Sequence, residues 1–192
     1  MAPPDDPSAT LLWLPLGAGG HVVVHTSRWW ERYRATREHR RPQQLFHAAL
    51  EVVTHATPYV IELAPAWGSG SGYRGVVATG PVGFGCLGRS RIFRYEVRCW
   101  PNGVIPDRTF AVAPGLRFSL TDASAEHLVH TVAKVPTFVW GRTVPGTDDM
   151  WNSNSVIAWL LLTAHVDASR IAPPEGGRAP GWRAGIVAAQ RG

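Results

Sequence analysis

Three residues have the types that acyl-group chemistry needs: Ser153, His47 and Glu62. Ser153 belongs to Asn152-Ser153-Asn154-Ser155, which leads into Val156-Ile157-Ala158-Trp159-Leu160-Leu161-Leu162. A helix that is apolar almost all round is a buried helix. At its entrance the backbone N–H groups lack intrahelical partners and the helix field is positive. That setting suits a capping residue, Asn152 or Ser153. It equally suits a nucleophilic Ser153 whose oxyanion the same amides would stabilise.

His47 lies in an alternating stretch, Leu45 to Val53, expected to be a strand. The two-residue period puts Leu45, His47, Ala49 and Glu51 on one face and Phe46, Ala48 and Leu50 on the other. An imidazole on a face packed against the buried helix would reach that helix's end. The simpler alternative is a satisfied core or edge histidine. Glu62 sits within Val60-Ile61-Glu62-Leu63-Ala64, and a carboxylate among apolar neighbours needs a partner. If Thr54 to Pro58 turns the chain into a hairpin, His47 and Glu62 are direct or diagonal neighbours. The carboxylate would then fix the imidazole tautomer. An ion pair with an arginine is the alternative.

Taken in order, Leu45-Phe46-His47-Ala48-Ala49-Leu50-Glu51-Val52, then Tyr59-Val60-Ile61-Glu62, then the Asn152–Leu160 stretch resemble the circularly permuted branch of the NlpC-type papain-like superfamily. That branch includes the lecithin:retinol acyltransferase-like proteins, in which the histidine precedes the nucleophile. The resemblance implies an α+β domain, with an antiparallel sheet packed against a buried helix that carries the nucleophile at its N-terminus. It implies hydrolysis or transfer of an acyl or amide group without a cofactor. Ser153 would attack, His47 would act as general base and then acid, and Glu62 would orient His47.

Relatives of this kind carry cysteine where this chain has Ser153. A thiol, with a pKa near 8.5, can be held as thiolate beside an imidazolium. A helix end supplies only about 0.3–2 kcal/mol, so a serine needs His47 to take its proton during attack. Three readings follow: a serine hydrolase or acyltransferase variant, a catalytically silent binding protein, or an engineered replacement of cysteine. The silent reading expects a Trp/Arg-lined cleft for an anionic or peptide-like ligand. Its candidate contacts are Trp151, Asn152, Trp140, Arg178 and Trp182.

With 192 residues, 45% hydrophobic and 17% charged, the chain is expected to be one globular domain, residues 11–192, after a loose tail over 1–10. Strands grouped ahead of helices argue for α+β rather than a doubly wound fold. Strands are expected over His21–His25, Leu45–Val53, Tyr59–Leu63, Gly75–Ala78, Ile92–Trp100 and Ile186–Ala189. Helices are expected over Arg28–Glu38, Asp122–Lys134 and Asn152–His165. Trp67–Gly72, Gly80–Gly88 and Pro173–Gly181 read as loops. No segment has the length and apolarity of a membrane span or secretory signal, so a cytoplasmic protein is expected.

The net charge is +5, and Lys134 is the single lysine. Arginine excess can serve phosphate recognition, and the arginines of 28–41 could form an anion-binding surface or a solvated helix face. Nucleic acid is nevertheless not the expected partner; a small-molecule or peptide-like substrate is. Asp148 and Asp149 could cap the helix, hold an arginine or bind a cation. His127 with His130, and His21 with His25, make pairs rather than metal sites, so no metal is expected. Cys86 and Cys99 open no helix and are poor substitutes for Ser153. Arg178 and Trp182 belong to Gly176-Gly177-Arg178-Ala179-Pro180-Gly181-Trp182, a stiff loop that could cover a cleft or pack on the core.

Overall fold

A computed structural model describes residues 6–16, 31–55, 57–66, 74–105, 107–112 and 114–191. The expected strand His21–His25, the first residues (28–30) of the expected Arg28–Glu38 helix and the loop Trp67–Gly72 lie outside the described residues.

The architecture is α+β. Six strands pair antiparallel in the order β4-β5-β3-β2-β1-β6: β1 (Ser8–Pro15), β2 (Gln44–Val53), β3 (Pro58–Pro65), β4 (Val76–Pro81), β5 (Arg94–Pro101) and β6 (Leu116–Ser119). A two-residue β7, Gly177–Arg178, adds parallel to β2. β1, β3, β4 and β5 each end on a proline, which has no N–H to continue a ladder. Leu50 opposes Ile61 across the β2–β3 hairpin.

Among the described residues the α-helical segments are α1 (31–37), α2 (Asp122–Thr131), α3 (Ser153–Thr163) and α4 (Trp182–Ala189). Ser153 to Leu161 of α3 are all buried. α3 lies against β2 and β3 on one side and α4 on the other. The main core therefore joins Leu11, Trp13, Phe46, Ala48, Leu50, Ile61 and Leu63 from the sheet to Val156, Ile157 and Leu160 from α3. The other face carries a smaller cluster of Leu12, Leu14, Ala49, Val60 and Ile105.

Several expectations are corrected. The loose tail is shorter than residues 1–10, because Ser8, Ala9 and Thr10 pair with β2 and β6. The helix expected over Asp122–Lys134 is capped by Thr121, and its last turn over Val132–Lys134 tightens to a 3₁₀ helix. The expected final strand over Ile186–Ala189 is instead the end of α4. Its buried residues Trp182, Gly185 and Ala188 recur every third position, the spacing of a helix face. Gly185 fits because a Cβ there would collide with the Ser155 carbonyl of α3.

Candidate functional site

The entrance to α3 is built by side chains that bind backbone. Asn152 is the cap: its side-chain oxygen accepts from Asn154 N–H at 2.9 Å, and its own N–H is received by Ser155 Oγ at 3.0 Å. Ser155 Oγ donates to the Gly181 carbonyl at 2.7 Å. The side-chain amides of Asn152 and Asn154 donate to the Pro180 carbonyl at 2.8 and 2.7 Å, and Asn154 also donates to the Phe46 carbonyl. Asp149 accepts from Gly181 N–H at 2.8 Å. Together these bonds form a brace that fastens the 173–181 loop to α3 and β2. Gly181 has φ +90°, and a Cβ there would strike Asn152. Ser153 sits within the brace, is buried, and has no side-chain hydrogen bond among the described residues.

His47 projects from the opposite face of the sheet. Phe46, Ala48 and Leu50 belong to the core beneath α3, whereas His47 stands across from Leu14, a member of the second-face cluster. Desolvation pushes its pKa down to about 4, outweighing the opposing pull of Asp107, so the ring is neutral at neutral pH. Glu62 shares this second face, yet its carboxylate is held by Arg98 at 3.2 Å. Arg98 also pairs with Glu96 at 3.0 Å, and Glu96 with Arg74 at 3.1 Å. Burial raises the Glu62 pKa despite Arg98. Ser153 is thus separated from His47 and Glu62 by the sheet.

The aromatic candidates divide. Trp151 is fully buried, and its indole N–H donates to Tyr95 Oη at 3.2 Å. It packs edge-on to Phe138 and, with no exposed surface, does not line an open ligand cleft. Trp140, half-buried, bridges Val82 and Trp151 and lies edge-on to Tyr95. Trp182 stacks at a tilt on Trp13, centroids 5.0 Å apart, and donates to the Ala168 carbonyl at 2.9 Å.

Beside the brace lies an open cleft of about 390 Å³, walled by Arg34, Asp148, Arg178, Pro180, Trp182 and Arg183 among others. Arg178 pairs with Glu38 at 3.2 Å and Glu31 at 3.7 Å. Arg34 pairs with Glu38 at 2.9 Å. Asp148 and Arg183 are exposed and have no ion pair among the described residues. Sequence reasoning missed Arg183 and the bracing roles of Asn154 and Ser155. The available signal was four short polar residues beside an apolar run and a Pro-Gly loop, each needing a backbone partner.

Cys99 is buried, which raises its thiol pKa to about 11; it is no substitute nucleophile. Among the described residues no group of three or more His, Cys, Asp or Glu could hold a metal ion, and no helix is long and apolar enough to cross a membrane. No protein-family model, curated protein or solved structure matches this chain.

Proposed function

We propose that the protein is a non-catalytic binding protein whose cleft takes a short peptide-like ligand bearing both charges. The observation that carries this reading is the employment of the polar groups around Ser153. Asn152, Asn154 and Ser155 hold the Pro180–Gly181 backbone, while Arg98 holds Glu62. His47 lies on the other face of the sheet, and among the described residues no side chain hydrogen-bonds to Ser153 as a base would. Next to the brace, Arg183 and Asp148 offer opposite charges in a cleft of about 390 Å³, within the size range of small-ligand sites. Arg183 suits a ligand carboxylate, Asp148 suits an ammonium group, and Trp182 supplies an apolar wall.

The test is calorimetric titration with tri-alanine carrying free termini, compared with the same peptide acetylated and amidated. The free peptide binds and the blocked one does not. Arg183→Ala and Asp148→Ala each weaken binding about fivefold, as for exposed ion pairs. A fluorophosphonate probe labels wild type and Ser153→Ala equally. Absence of peptide binding would defeat the reading, and labelling that vanishes in Ser153→Ala would favour the serine acyltransferase or hydrolase instead.

A further inference from the structure

Gly80 to Arg94 contains Arg89, Arg91 and Arg94 but no aspartate or glutamate. His127 to Thr147 contains Lys134 and Arg142 and again neither acid. The fold brings these two stretches together. Val82 bridges Trp140, Gly83 N–H donates to the Trp140 carbonyl at 3.1 Å, and Trp140 N–H donates to the Pro81 carbonyl at 2.9 Å. Arg142 ties them further, donating to the Gly83 carbonyl at 2.7 Å and lying 4.3 Å above the Phe84 ring.

The joined segments expose large apolar groups. Ile92 is 66% accessible, Phe84 59% and Phe93 41%, with Leu87 and Phe138 also exposed. Arg89, Arg91, Lys134 and Arg142 are exposed among them. Two short 3₁₀ turns, Gly85–Arg89 and Arg91–Phe93, carry most of this surface and bury none of their residues. Contiguous exposed apolar groups mark a contact surface.

We propose that this face docks on an anionic lipid membrane surface. Apolar tips that enter the headgroup boundary, on two joined segments that carry cations and no carboxylate of their own, complement a negatively charged bilayer. Aliphatic Leu87 and Ile92 gain from insertion, and of the rings beside them Phe84 is already faced by Arg142. The surface is independent of the peptide cleft and does not rest on that reading.

The experiment is sedimentation of the full chain with phosphatidylcholine vesicles, with and without a share of phosphatidylglycerol. Wild type sediments with the anionic vesicles only, and salt releases it. Arg89→Gln combined with Arg91→Gln weakens partitioning, each lost arginine by about fivefold. Leu87→Ser combined with Ile92→Ser also weakens it. Both variants keep the wild-type melting temperature, because the altered side chains are exposed. Any of these results would overturn the proposal: no vesicle binding, equal binding to neutral vesicles, or anionic-vesicle binding unchanged in either variant. So would binding to single-stranded RNA in place of vesicles, or a dimer that Ile92→Ser dissociates.

Discussion

A desolvated ionisable residue reveals its surroundings through pH. His47 titrates near 4 in the folded chain because burial disfavours its charged form, against about 6.5 when unfolded. Between those values the unfolded chain holds a proton that the folded chain lacks. The stability from His47 is therefore complete above pH 6.5 and falls by about 1.4 kcal/mol per pH unit as pH drops toward 4. Glu62 has the opposite sign: its raised pKa gives stability below 4.5 that is lost as pH rises through the folded value. Comparing wild type with His47→Gln cancels the Glu62 contribution. Urea melts should show the stability difference shrinking by up to about 3 kcal/mol from pH 6.5 to 4; parallel curves would show that His47 is not desolvated. Alternation was enough to place His47 and Glu62 on one face. The sequence could not show that α3 takes the other face, since both faces of β2 are apolar around His47. Nor could it single out Arg98 as the partner of Glu62 among so many arginines.

The elements were more legible than the contacts between them. Period-two patterning located β2, β3 and β5, and the uninterrupted apolar run located α3, because burial dictates both patterns. β1 was hidden by its own burial, since Leu11, Leu12, Trp13 and Leu14 are all inside and give no alternation. α4 was hidden because its brief apolar end, Ile186-Val187-Ala188-Ala189, fits a strand as well as a helix. Its placement depends on the Asn152–Ser155 brace, which no local pattern announces. Asn154→Ala removes the donors to Phe46 and Pro180, leaving carbonyls without that partner, at a cost on the order of 3 kcal/mol. Gly181→Ala forces a β-carbon into Asn152 at a positive φ and loosens the same junction. Hydrogen exchange in either variant should quicken across residues 177–189 while β2, β3 and β5 keep their protection. Equal acceleration in those strands would mean that the brace supports the whole sheet and not this loop and helix.

On the scale of the molecule, the sheet is assembled from chain segments far apart in sequence. β1 lies between β2 and β6, with Leu11 opposite both Leu50 and Leu116. Leu11 is fully buried in the main core with α3, and its neighbour Trp13 stacks on Trp182 of α4. β1 therefore links the sheet, the central helix and the last helix. A defect here should spread, in contrast to one at the brace. Leu11→Ala removes buried methyl groups and leaves a cavity, costing about 2–5 kcal/mol. Urea unfolding followed by tryptophan fluorescence and by far-UV circular dichroism should shift to one lower midpoint shared by both probes. Fluorescence reports the nine tryptophans, with Trp13, Trp151, Trp159 and Trp182 in the core, whereas dichroism reports the backbone of sheet and helices, so agreement between them requires that all layers unfold together. Two separated midpoints would mean that the sheet survives loss of the helical layer, and that β1 does not join them into one cooperative unit.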